Sequence, residues 1–241
     1  MNLILLEDQD FFSKEHVRIG GTRLEHICRI HRAKVGDHLR VGRVGASVGR
    51  GVITAMDPES VTMTITLTED PPVASQITLA LALPRPPTLQ KVLQHCTALG
   101  IKQFVFFNSR RVEKSFWQSS ALAENALEKH MRLGLEQARD TVFPEVKTVR
   151  YFKEFVQEEL PQLAQEGPIV VADPVGDTAC PCDVKGPLTL VLGPEGGFID
   201  AERASLREQG FSMVHLGPRI LRVEAAAIAL VARLSPFAGA L

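Results

Sequence analysis

Leu188-Thr-Leu-Val-Leu-Gly-Pro-Glu-Gly-Gly-Phe-Ile-Asp-Ala-Glu202 reads as a buried strand, a tight glycine-rich turn and the start of a helix. Leu188 to Leu192 shows no polar alternation, as expected of a strand covered on both faces in a parallel sheet. Glycines at 193, 196 and 197 let the backbone approach a ligand where a Cβ would clash, and Pro194 restricts the turn. The segment lacks the lysine of a phosphate loop and does not match GxGxxG. Its Glu195 repels a triphosphate but suits a cationic or neutral ligand. On the residues alone this is either a ligand loop or a simple tight connection.

A second segment has the same shape. The short strand Phe211 to His215 runs into Leu216-Gly-Pro-Arg-Ile-Leu-Arg-Val-Glu224, followed by a helix of small apolar residues. Arg219 and Arg222 lie where a loop enters a helix, and that positive end disfavours cations unless an anion compensates. Glu224 supplies one reading, an internal ion pair that pins the loop; a substrate anion supplies the other. Ala225 to Ala232 is apolar nearly all round, which predicts burial on both sides, including at a subunit interface.

Outward from these loops the chain alternates strand and helix. Ile77 to Leu83 and Ile101 to Phe107 read as strands, and Leu89, Val92, Leu93, Cys96 and Leu99 trace one face of a helix that stops at Gly100. A long helix is expected from about Ser120 to Asp140, and Phe152, Phe155, Val156, Leu160 and Leu163 mark another before a strand at Ile169 to Ala172. This pattern predicts an α/β domain with a largely parallel sheet. Pro71-Pro72 makes a stiff connector, placing a boundary between domains at 1–72 and 73–241.

The first domain reads as a small β-rich module, with Val61, Met63, Ile65 and Leu67 alternating against threonines. Leu24, Ile27 and Cys28 recur at helical spacing and put Arg29 and Arg32 on the remaining surface. Between Phe11 and Ala55 stand nine Lys or Arg against three Asp or Glu; from Tyr151 onward seven basic residues face twelve acidic ones. That asymmetry suggests a polyanion contact carried by the first part, or else an ordinary solvated surface. Cys28, Cys96, Cys180 and Cys182 have neither metal-site nor disulfide-framework spacing, so no metal is expected. No apolar run is long enough for a membrane helix and the N-terminus lacks signal-peptide features, so the expected location is the cytoplasm.

Leu192-Gly-Pro-Glu-Gly-Gly-Phe and Leu216-Gly-Pro-Arg-Ile-Leu-Arg-Val-Glu, in this order and separation, resemble the RsmE-type members of the SPOUT methyltransferase superfamily. The resemblance extends to Glu25-His-Ile-Cys-Arg-Ile-His-Arg-Ala-Lys-Val-Gly-Asp37, to Leu81-Ala-Leu-Pro and to Leu99-Gly-Ile. It implies a PUA-like β-barrel at 1–72 that binds RNA through Arg29, Arg32 and Lys34, and a SPOUT α/β domain with a trefoil knot at 73–241. It implies a homodimer that binds S-adenosyl-L-methionine through Leu192, Gly193, Pro194, Gly196, Gly197, Leu216, Gly217, Ile220 and Leu221. The substrate implied is 16S ribosomal RNA or the small ribosomal subunit, methylated at N3 of a uridine. Arg219 or Arg222 would stabilise the uridine anion, and Glu195 or Glu224 would orient the loops or accept a proton. The chain departs from the family in having Val223 and Ala225 where threonines are usual, and in Glu136-Gln-Ala-Arg139, where the arginine is displaced. A related knotted enzyme acting on a ribose 2′-hydroxyl and a non-catalytic ribosome-assembly protein remain the alternatives.

Overall fold

The computed structural model describes residues 3–236. They divide into two compact units, one built from the chain up to Val73 together with Leu135–Phe143, the other from Ala74–Gly134 and the chain from Pro144 onward.

The first unit contains β1 (Ile4–Leu6), β2 (His16–Gly20), α1 (Gly21–His26), β3 (His38–Arg43), β4 (Val48–Met56) and β5 (Ser60–Glu69). Its strands lie in the order β1-β3-β4-β5-β2, antiparallel except for β1 with β3. The period-2 reading of β5 holds: Val61, Met63 and Ile65 are buried and Leu67 partly so. Ile4 and Leu6 from one edge strand share a single core with Val17 and Ile19 from the other. A flat sheet keeps its edges apart, so this one curls. The strand β4 bends at an irregularity between Val48 and Gly49, where a Cβ on Gly49 would lie 1.9 Å from the Thr66 carbonyl oxygen.

α1 runs into a π-helical turn, Ile27–His31, and stops at Arg32, whose φ is +49°. Arg29 and Arg32 therefore do not share a regular helical turn, contrary to the spacing argument; both are exposed, as is Lys34. Leu135–Phe143, which the sequence reading leaves in the second domain, packs here. Leu135 is buried with Leu3, Leu5 and Val48, Leu3 N–H donates to the Glu136 carbonyl (2.9 Å), and Gly45 N–H donates to that of Thr141 (2.8 Å).

The second unit holds β6 (Ile77–Ala82), α2 (Pro86–Ala98), β7 (Gln103–Phe107), α3 (Glu124–Ala138, its last turn belonging to the first unit), β8 (Glu145–Val149), α4 (Phe152–Glu154), α5 (Leu160–Glu166), β9 (Ile169–Ala172), β10 (Thr178–Ala179), β11 (Leu188–Leu192), α6 (Asp200–Glu208), β12 (Ser212–His215) and α7 (Val223–Leu234). The sheet order is β10-β12-β9-β11-β6-β7-β8 and every pairing is parallel. α2 buries Leu89, Val92, Leu93 and Cys96 as its periodicity requires. Leu99, expected on that face, is instead the exposed residue that ends the helix, before Gly100 turns left-handed at φ +88°. The helix expected from Ser120 starts only at Glu124, after 3₁₀ turns at Lys114–Gln118 and Ser120–Leu122. A π turn at Phe155–Glu159 joins α4 to α5.

Connections from β6 through β8 step outward along one side of the sheet. β9 then starts on the other side, and β11 inserts between β9 and β6, which is why all five of its residues are buried. Ligands in open α/β sheets bind at the carboxyl ends of strands where the winding reverses in this way.

Candidate active site at the carboxyl ends of three strands

β11 and β12 flank β9, so the loops leaving their carboxyl ends face each other. Between them lies an open cleft with a cavity volume of about 110 Å³. Leu192, Gly193, Pro194, Glu195 and Gly197 line it from one loop, and Leu216, Gly217, Arg219, Ile220 and Leu221 from the other. Gly196, Arg222 and Glu224 are not among the lining residues. The cleft also takes in Val223 of α7, noted above for replacing a threonine, and Asp173 and Pro174 beyond β9, His215 at the end of β12, and Ala226 and Leu230 of α7, which were not expected at the site. The available signal was positional, since Asp173 and His215 each sit at the end of an apolar strand.

The glycine loop is held from several sides. Gly197 N–H closes a turn onto the Pro194 carbonyl (2.7 Å), and Gly197 has φ +70°. Under the turn, Phe198 is fully buried and its ring lies parallel to that of Phe107, which stacks on Phe155 at 3.7 Å. A Cβ on Gly193 would sit 3.1 Å from the Phe198 ring. Glycine at 196 has a different cause: its Cβ would point at the Arg111 side chain, 3.0 Å from Cδ, and the Arg111 guanidinium donates to the Gly196 carbonyl. Glu195 Oε1 accepts the Arg85 backbone N–H (3.1 Å).

Glu202, in the first turn of α6, is the principal anchor. It reaches back to accept Ile199 N–H (3.0 Å), and it accepts Arg110 N–H (2.7 Å) and the Ser109 hydroxyl (3.2 Å) from the loop after β7. Asp173 is buried with its charge compensated, since Oδ2 accepts from Arg203 Nε (3.0 Å) and Oδ1 from Val175 N–H (2.9 Å).

In the second loop Gly217 adopts φ +103° and donates its N–H to His215 Nδ1 (3.0 Å), leaving Nε2 as the protonated nitrogen of the neutral ring. Arg219 and Arg222 are exposed and make no ion pair with another described residue. The expected internal pair with Glu224 does not form. Glu224 is in the first turn of α7 and pairs with Lys91 Nζ of α2 (3.4 Å). Its own backbone N–H, the Lys91 ammonium and, more weakly, the Arg222 charge hold its carboxyl below the ordinary value. α7 is buried along one face at Val223, Ala227, Leu230, Val231 and Leu234, while Ala225 and Ala232 are exposed.

The chain resembles known proteins over most of its length. It is 24% identical over 238 residues to ribosomal RNA small subunit methyltransferase E 1 of Borreliella burgdorferi, covering 95% of each chain. It is 31% identical over 156 residues to ribosomal RNA small subunit methyltransferase E of Aquifex aeolicus, covering 62% of this chain and 63% of the relative. Its α/β fold matches the crystal structure of a ribosomal RNA small subunit methyltransferase E from Neisseria gonorrhoeae bound to S-adenosyl methionine, with a TM-score of 0.73, 21% identity, and 96% and 95% of the two chains covered. Residues 71–235, the segment carrying both loops of the cleft, match the model of the RNA methyltransferase domain, and the chain belongs to that family.

Proposed function

We propose that the protein transfers a methyl group from S-adenosyl-L-methionine to N3 of a uridine in 16S ribosomal RNA of the small subunit, and that it works in the cytoplasm as a homodimer. The observation that carries this reading is a cleft with an apolar, glycine-bearing lining beside two exposed guanidinium groups, neither of which has a carboxylate of another described residue within ion-pair distance. The lining suits S-adenosylmethionine. Leu216, Ile220 and Leu221 remain exposed around it, as apolar walls for a flat base, and Gly193, Gly197 and Gly217 leave their backbone accessible. Asp173 is already satisfied by Arg203, so no bare buried anion faces the ligand. The bound cofactor supplies an electrophilic methyl group on a sulfonium.

The chain's own task is to present a deprotonated N3 to that methyl group. Loss of the imide proton leaves negative charge on O2 and O4, and fixed cations lower the barrier by stabilising it. Arg219 and Arg222 take that role, since both are exposed and neither is held in an ion pair with another described residue. Glu195, at the cleft and tied to Arg85, accepts the proton. Glu224, committed to Lys91, positions α7 against α2 instead. The N3 edge is hidden in a duplex, so the target uridine is unpaired or flipped. Arg29, Arg32 and Lys34 of the module at 1–72 contribute phosphate contacts, and 73–241 carries the chemistry. The insertion of β11 between β6 and β9 supports the trefoil knot as part of this reading. Exposed Ile220 and Leu221 support the dimer.

Arg219→Ala and Arg222→Ala test the proposal. Both side chains are exposed, so the melting temperature and cofactor affinity should stay close to wild type. Single-turnover methylation of small subunits should fall about a hundredfold in at least one variant, the scale of losing one anion-stabilising donor. Near-normal rates in both would remove the arginines from the chemistry.

A further inference from the structure

The carboxyl ends of β7 and β8 lie next to the glycine loop and carry features the methyl-transfer reading does not use. Asn108 N–H donates to the Val149 carbonyl (3.1 Å), joining the two loops that follow these strands. Trp117 Nε1 donates to Asn108 Oδ1 (2.9 Å), and the Arg150 guanidinium lies 4.5 Å from the Trp117 ring centroid. The next residue, Tyr151, is the single tyrosine of the chain and is 70% exposed. Residues 108–118 and 149–154 expose five cations, Arg110, Arg111, Lys114, Arg150 and Lys153, against two carboxylates, Glu113 and Glu154. Arg110, Lys114, Arg150 and Lys153 make no ion pair with another described residue. The same loop holds the site, because Arg111 grips the Gly196 carbonyl and Arg110 N–H donates to Glu202.

Burial normally hides an aromatic ring of this size, and unpaired cations normally spread out to avoid one another. An exposed ring among fixed cations is the arrangement that takes single-stranded nucleic acid, with bases on the ring and phosphates on the cations. We propose that the β7 and β8 ends form a track for single-stranded RNA leading to the cleft, with a base stacked on Tyr151 and phosphates on Arg110 and Arg150. Trp117 holds the Arg150 guanidinium in place for that contact. The proposal rests on the RNA-methylation reading and adds to it that the catalytic unit itself grips the strand next to the target, independently of the basic module at the N-terminus.

The test is binding of a fluorescein-labelled oligouridylate dodecamer to the full-length protein across a salt series. Each phosphate contact to a single strand contributes about 0.7 to the slope of log affinity on log salt, so Arg110→Gln with Arg150→Gln should lower that slope by about 1.4. Between about 50 and 200 mM salt the wild-type affinity should therefore fall roughly sevenfold further than that of the variant. Tyr151→Ala should weaken binding about tenfold without changing the slope, and Tyr151→Phe should restore it. Cofactor affinity should be unchanged in the two Tyr151 variants, and in the Gln variant the contact of residue 110 with Glu202 is kept because the backbone N–H makes it. Lys substitutions at 110 and 150 keep the charge, and their wild-type slope separates lost contacts from misfolding. An unchanged slope in the Gln variant, full affinity in Tyr151→Ala, or wild-type protein that does not bind the oligonucleotide would each overturn the track. Failure of the wild-type protein to methylate small subunits would instead overturn the proposed function.

Discussion

Replacing Glu202 probes how the glycine loop is held. This side chain is 5% exposed and accepts three hydrogen bonds, two from backbone N–H groups and one from a buried hydroxyl. Glu202→Ala leaves Ile199 N–H and Arg110 N–H without an acceptor, while the Ser109 hydroxyl can rotate to another. Each orphaned donor costs about 1–3 kcal/mol, offset in part because a carboxylate no longer has to be buried, so a net loss of about 2–4 kcal/mol is expected. For a chain of this size each kcal/mol moves the melting temperature by about 2–4 °C, giving a drop of roughly 4–16 °C. Glu202→Gln keeps the shape and one carbonyl acceptor, and should lose about half as much. Calorimetric melting of the two variants beside wild type reads this directly, and titration with S-adenosylmethionine should show weakened binding in Glu202→Ala, since Ile199 N–H ends the loop. A shift under about 2 °C in Glu202→Ala would falsify the anchoring argument.

Three further expectations follow from the same contacts. The carboxyl of Glu224 is held below its ordinary value of 4.5 by its own N–H and by Lys91, so its contribution to stability is present above that value and is lost as pH falls through the lower folded-state value. Wild-type melting temperature should thus decline more steeply than that of Glu224→Gln on acidification below 4.5; parallel curves would rule the pair out. Burial pushes the Cys96 thiol up to about 12, and Cys180 is also buried, so a disulfide reagent at neutral pH should label Cys28 and Cys182 quickly and the other two only after denaturation. Gly193→Ala crowds the buried Phe198 ring at a cost of roughly 1–3 kcal/mol, whereas Gly196→Ala meets only the flexible Arg111 chain, so cofactor affinity should suffer more in the first; equal affinities would refute the difference.

What the sequence revealed follows from what each signal measures. Near-continuous apolar runs at Ile77 to Leu83 and Leu188 to Leu192, each broken by a single threonine, report burial on both faces, and these are the adjacent strands β6 and β11 at the centre of the parallel sheet. Alternation in Val61 to Leu67 reports burial on one face, and it gave the β5 register. Neither signal reports which strands are neighbours. The insertion of β11 between β6 and β9 depends on its pairing with β6 about 110 positions away, and the Glu202 contacts with Ser109 and Arg110 span a similar distance. For the same reason the packing of Leu135–Phe143 against β1 and the start of β4 was invisible, since Leu135 looks like any other apolar position of a helix.

Glycines carried more information about place than about cause. Three glycines in five residues marked a tight turn, and the structure has one there, closed by Gly197 N–H on the Pro194 carbonyl. The constraint at each glycine is a property of the fold. At Gly193 it comes from Phe198 beneath the loop, at Gly196 from Arg111 on a different connection, and at Gly197 from the left-handed turn itself. The two arginines illustrate the converse. Sequence spacing made Glu224 their nearest candidate partner, yet a carboxylate in the first turn of a helix is already favoured by the exposed N–H groups there, and Lys91 approaches it from α2. With Glu224 paired to Lys91, Arg219 and Arg222 stay exposed and outside any ion pair with a described residue, which is what the proposed role opposite a uridine anion requires.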